Sequence, residues 1–183
     1  MTGLVLFVAG SGGILRLSWR SMRDRQAHGF YRFFAFELLL ALIVLNLPVW
    51  FRDPLSFRQF LSYSFGAVSL ALAVEGFRLL VTIGKPSAGA AQKTNLGFEN
   101  TRQVVSVGVY RFIRHPLYSS LLAFVLCAYL KDPLRFVNIF LAAAATGFLF
   151  ATAVIEEREN LVRFGPAYAA YMRDTRRFVP YLF

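Results

Sequence analysis

Five apolar stretches, at roughly residues 2–17, 33–51, 57–83, 117–130 and 135–155, dominate the chain, set against the roughly 20 residues needed to cross a hydrocarbon core. A backbone in lipid must satisfy its own hydrogen bonds, so apolar runs of this length predict helices. The expected class is therefore an all-α integral membrane protein with about five transmembrane helices. Composition agrees: 57% of residues are hydrophobic and 16% charged, against roughly 25% charged in a soluble domain. Twenty Phe and a mean hydropathy of +0.52 exclude a disordered, fibrous or ordinary soluble chain. The second, third and fifth stretches are long enough to span. The first is interrupted by Gly10, Gly12 and Gly13. The fourth is short, and is expected to form a helical hairpin with the fifth, turned at Lys131, Asp132 and Pro133.

The formal charge of +10 is split among the segments between these stretches rather than laid along one face, so it points to anionic lipid and not to nucleic acid. Its distribution sets the topology. The first connection holds Arg16, Arg20, Arg23, Arg25 and Arg32; the third holds Lys85, Lys93, Arg102, Arg111 and Arg114; the tail holds Arg158, Arg163, Arg173, Arg176 and Arg177. The second connection holds only Arg52 and Arg58, and the fourth only Lys131 and Arg135. Cytoplasmic loops collect Lys and Arg, which places the N-terminus outside and the C-terminus in the cytoplasm. Met1 to Phe7 carries no Lys or Arg and so lacks the start of a secretory signal; it is expected to be retained. Cys127 is alone inside an apolar run, which removes any internal disulfide or thiolate metal site. No metal partner is expected.

Two polar segments are too long to be simple connectors. One runs from Gly84 to Pro116, opening with the Gly, Ala and Ser-rich stretch Gly84 to Ala91, which is expected to be flexible. The other is the tail, where the fifth helix should continue through Phe164, stop at Gly165 and restart with Pro166 at the first helical position. The aromatic and Arg-rich end of the tail suits the headgroup layer. The division that follows is 1–92, with three helices and the connector, and 93–183, with the last two helices and the interfacial tail. Within the apolar stretches Glu37, Glu75 and Arg78 stand out. Glu75 and Arg78, three apart, are expected to pair along one helix facing the bundle; the other reading is a polar lining beneath a site. GSGG at 10–13 lacks the Lys of a phosphate loop and is read as a helix-packing patch.

The informative segments are GVYRFIRHPLY, residues 108–118, and EERENLVRFGPAYAAY, residues 156–171. Pro116 can open the fourth helix, which puts Arg114 and His115 at its partly positive end, where an anion would bind. Glu156 and Glu157 close the fifth helix on the same side. A hairpin of the two helices brings the clusters together.

These segments resemble a membrane methyltransferase family that includes isoprenylcysteine carboxyl methyltransferases and phospholipid N-methyltransferases. The shared pattern is G-x-Y-x-x-x-R-H-P-x-Y, a helical hairpin, then E-E-x-x-L-x-x-x-F-G-x-x-Y-x-x-Y, and it covers roughly residues 95–180 here. Within it Arg102 replaces a usual His, Ser120 a usual Gly, and Leu161 falls one position late. The resemblance implies S-adenosylmethionine bound at the cytoplasmic face, held by Tyr110, His115, Pro116, Leu117 and Tyr118, by Arg102, Gln103, Val104 and Val105, and by Glu156. It also implies a lipid-like or isoprenoid-like methyl acceptor. Thr152 stands where the prenylcysteine enzymes carry an Arg for the substrate carboxylate, so the acceptor is not expected to be a prenylcysteine.

Methyl transfer from a sulfonium needs no metal and no covalent enzyme intermediate; positioning and charge supply the rate. Arg114 and His115 suit the cofactor carboxylate, Glu156 a ribose hydroxyl or the ammonium, and the aromatics adenine and the sulfonium. Glu157 or His115 would serve as base for an amine acceptor, which makes Arg114 and Glu157 the expected catalytic pair. The alternatives are a membrane NADPH-dependent reductase of the sterol reductase type, which resembles this family in its C-terminal fold, and a non-catalytic membrane scaffold.

Overall fold

The fold is taken from a computed structural model that describes residues 1–86 and 96–182. Lys93, Phe183, the 92/93 division and most of the Gly84 to Ala91 stretch lie outside the described residues. Among the described residues there are six α-helices: α1 (Thr2–Ser18), α2 (His28–Asn46), α3 (Phe57–Thr82), α4 (Pro116–Tyr129), α5 (Phe136–Phe164) and α6 (Pro166–Asp174). Among the described residues there is no strand, only a single parallel bridge between Ile113 and Arg176.

Among the described residues three helices are long and apolar enough to cross a membrane: α2 with its following 3-10 turn (His28–Val49), α3 and α5. The apolar α1 and α4 are shorter, at 17 and 14 residues. Helix ends follow local chemistry. Ser56 caps α3 by accepting from the Gln59 N–H at 3.3 Å. Pro116 and Pro166 open α4 and α6, where a missing N–H is harmless. Gly165 separates α5 from α6 at φ +56°, a left-handed value that other residues adopt with strain.

α5 packs along α2, and α3 along α4, with α4 also touching α5 and α2. Small residues make this close approach possible. Ala35 of α2, Ala128 of α4, and Ala145 and Ala153 of α5 are buried in one core with Leu39, Leu42, Val125 and Leu149. α1 lies against α2, and Gly10 is what lets it approach: a Cβ there would meet Leu40 at 2.7 Å. Gly12 and Gly13 face open space, so the expected GSGG packing patch reduces to Gly10 and Ser11. Ser11 donates to Glu37 at 2.5 Å across the same contact. The Glu75–Arg78 pair forms, at 2.8 and 2.9 Å, but on the exposed side of α3 rather than toward the bundle.

The two ends of the bundle are built differently. At one, the α2–α3 and α4–α5 turns interlock through neutral side chains, Lys131 and Arg58, whose guanidinium donates to the Leu130 carbonyl at 2.8 Å and to the Lys131 carbonyl. Asn46 donates to the Ala128 carbonyl at 3.1 Å and accepts from Asn138 at 2.9 Å. Lys131, 2% exposed, donates to Gln59 at 2.8 Å beneath the rings of Trp50 and Tyr63. This is the turn expected at Lys131 to Pro133. The opposite end gathers the start of α2, the end of α3, the start of α4, the end of α5 and the tail, with the basic segments they carry. Charged pairs hold it, and the candidate site lies there.

Candidate functional site

Ahead of α4 the chain tightens into a 3-10 turn, Gly108–Arg111. Gly108 has φ +57°, a value other residues adopt with strain, and a Cβ there would crowd the tip of the Leu79 side chain at 2.7 Å. The turn buries Tyr110 and leads through Ile113, 1% exposed, to Pro116. The tail after α6 then pairs with this segment. Arg114 N–H donates to the Arg176 carbonyl at 2.7 Å, Arg176 N–H to Phe112 at 3.0 Å, and His115 N–H to Arg177 at 3.2 Å. Ser119 adds a bond to the Phe178 carbonyl at 2.8 Å. Tyr168, Tyr171 and Phe178 are therefore buried in the protein instead of lying in a headgroup layer; Tyr181 and Leu182 remain exposed.

Glu157 is the hub of this junction. It is 4% exposed and accepts from Arg114 Nε at 2.9 Å and from Arg177 at 2.6 and 3.1 Å. Arg114 also gives its Nη1 to the Met172 carbonyl at 3.1 Å and to the Thr175 carbonyl. Hydrogen bonding to Glu157 raises the Arg177 pKa above its ordinary value.

Beside this hub opens a partly open cleft whose water-accessible volume is about 90 Å³. Gln103, Val104, Val105, Tyr110, Arg114, His115, Pro116, Leu117, Tyr118 and Glu156 all line it, so two separated segments of sequence meet on one surface. Two expected residues do not line it. Arg102 is exposed, its N–H bonded to the Gly84 carbonyl at 2.8 Å, and Glu157 lies behind His115 at the hub. Within the cleft the Tyr118 hydroxyl donates to Glu156 at 2.5 Å. The His115 ring stacks on Tyr118 at 5.4 Å, and its Nε2, 3.4 Å from Glu157, makes no hydrogen bond. Burial pushes the hydroxyls of Tyr110, Tyr168 and Tyr171 above the ordinary tyrosine range, so all three stay neutral phenols. Tyr171 donates to the Tyr110 carbonyl at 2.8 Å, which fixes two of these rings together.

The remaining wall comes from residues not assigned to the site from sequence: Leu80, Glu99, Thr101, Asn160, Phe164, Tyr168 and Tyr171. Glu99 is held by Arg32 of α2, and Arg163 of α5 donates to the carbonyls of Glu99 and Thr101. Burial disfavours the Glu99 charge, but Arg32 and His28 outweigh it and hold its carboxyl below the ordinary range. His28 completes the array: 1% exposed, it pairs with Glu159 at 2.7 Å and stands 3.5 Å from Glu99. None of these carries a local signal, since each partner lies far along the chain. Among the described residues no group of three or more His, Cys, Asp or Glu is arranged to hold a metal ion. Comparison with family models, with curated proteins and with solved structures gave no match.

Proposed function

We propose that the chain is an integral membrane methyltransferase that moves a methyl group from S-adenosylmethionine to a lipid-like or isoprenoid-like acceptor. The reading includes five spans, an outside N-terminus and a cleft at the cytoplasmic face. Its main support is the convergence of the 103–118 segment and Glu156 on one cleft, given the motif likeness those residues carry. The side chains suit such a ligand: tyrosine rings for adenine and a sulfonium, and the Glu156 carboxylate for a ribose hydroxyl or an ammonium. When bound, the cofactor supplies an electrophilic methyl for in-line displacement.

The protein's part is to hold, orient and deprotonate. His115 is the base this arrangement favours, because it lines the cleft and its Nε2 lies 3.4 Å from the Glu157 carboxylate, which would steady the imidazolium formed when it takes a proton. Arg114 and Glu157 act as a positioning pair: their bond, with those to Arg177 and the tail, fixes the loop that carries His115. Thr152 is buried and bonded to the Phe148 carbonyl at 2.7 Å, so it offers no cation to a prenylcysteine carboxylate, and the acceptor is proposed to be of another kind. Titration of the detergent-purified protein with S-adenosylmethionine and with NADPH tests the reading. Saturable binding of the first alone is expected; binding of NADPH alone would favour the reductase, and binding of neither a scaffold.

A further inference from the structure

Arg32 projects from α2 one turn after His28, is 2% exposed and forms no part of the cleft wall. It lies behind that wall. Its Nη1 donates to Glu99, and its buried Nε and Nη2 edge faces the Tyr118 hydroxyl. No carboxylate or carbonyl among the described residues takes that edge. Tyr118 of α4 lines the cleft, 6% exposed, and its hydroxyl donates to Glu156 Oε2 of α5 at 2.5 Å. Glu99 and Glu156, the two carboxylates of the cleft wall, are thus both tied to one guanidinium, the first directly and the second through a phenol.

This arrangement fixes a direction. A phenol carries a single proton and can also accept through its lone pairs, whereas a guanidinium only donates. The edge of Arg32 therefore presents positive hydrogens to the Tyr118 oxygen and turns the phenol proton away, toward Glu156. In a low dielectric each dipole in such a row strengthens the next. Stacking on the His115 ring, with 5.4 Å between centroids, holds the Tyr118 ring in the row. Glu156 is left with one oxygen engaged by a donor, and among the described residues nothing bonds to its Oε1. A ligand group that meets this oxygen has to bring a proton of its own.

We propose that Arg32 is a positioning residue of the cleft: acting through Tyr118, it holds Glu156 as a charged acceptor whose free oxygen takes a hydroxyl or an ammonium and refuses a carbonyl or a carboxylate. α2 then takes part in ligand binding without touching the ligand. On the methyltransferase reading the group received is a ribose hydroxyl or the ammonium of the cofactor, and to this extent the assignment rests on that reading. The guanidinium and the phenol hydroxyl act on Glu156 as one unit, so losing either should have the effect of losing both.

The experiment is a double-mutant cycle on the full chain in detergent, read by calorimetry with S-adenosylhomocysteine as the probe. Tyr118→Phe keeps the ring and loses the hydroxyl; Arg32→Lys keeps a cation for Glu99 and loses the planar edge. Each alone is expected to weaken binding roughly tenfold, as for one lost charge-assisted bond. Together they should weaken it no further, since members of one network do not add. A double variant weakened by the product of the two factors, or an unchanged affinity in Tyr118→Phe, would overturn the proposal and leave Arg32 a structural partner of Glu99. Arg32→Gln takes the place of Arg32→Lys if the latter does not fold. A second measurement needs no ligand: infrared spectra of the protein with isotope-labelled tyrosine, in which Tyr118→Phe identifies the band of Tyr118. Arg32→Lys should shift the phenol C–O stretch of Tyr118, while Glu99→Gln, which releases the other end of the same guanidinium, should leave it in place. Equal shifts in the two variants, or none in Arg32→Lys, would also overturn the proposal. If the unaltered protein binds no S-adenosylhomocysteine, the methyltransferase reading falls, and the infrared band still decides the role of Arg32.

Discussion

Two adjacent carboxylates, Glu156 and Glu157, have opposite surroundings, and substitution should separate them. Glu156 faces the cleft with Tyr118 as its partner. Glu156→Gln keeps its shape and is expected to weaken S-adenosylmethionine by roughly tenfold to a hundredfold, the worth of one charge-assisted bond, with the melting temperature preserved. Arg173→Gln on the exposed side of α6 is the control and should change nothing measurable. Glu157→Gln leaves Arg114 without its carboxylate in a buried setting, a loss on the order of 3 kcal/mol, so a lower melting temperature in detergent should precede any change in affinity. The sequence made this pair conspicuous and could not divide its roles. In a helix neighbouring residues point about 100° apart, and which one meets the cleft depends on how α5 is rotated against α4.

Helix boundaries were largely legible because their signals are local. Pro116, Pro166 and Gly165 mark the starts and the break where the structure has them. The start of α2 was not. His28 and Arg32 read as a polar connection, and they are helical and buried because Glu159 and Glu99, far along the chain, pair with them. The same contacts pin residues 96–101 over the cleft, which gives that segment a pH response. The Glu99 carboxyl is held below its ordinary range, so its contribution to stability is present above that range and is lost as pH falls through the lowered value. The stability gap between the unaltered protein and Glu99→Gln should therefore narrow on acidification. Thermal melts of both from pH 7 to pH 3 measure it, and a gap that widened would contradict the pairing.

At the scale of the molecule, the Lys and Arg counts of the connections anticipated which helix ends lie together, since the basic segments share the cleft end and the sparse ones the other. Tags at the two termini of the protein in sealed vesicles are thus expected to be cut by protease from opposite sides; cleavage of both from one side would refute the five-span topology. What the counts could not give was helix length against the bilayer. α4, at 14 residues, rises about 21 Å, while the hydrocarbon layer measures roughly 30 Å. α5, at 29 residues, rises about 43 Å. A membrane that meets α4 along its side must dip to match it, and dipping is least strained where acyl chains are short. Under the proposed five-span topology the protein is expected to favour thin bilayers, so acyl-chain length, quite apart from headgroup charge, would bear on where it settles.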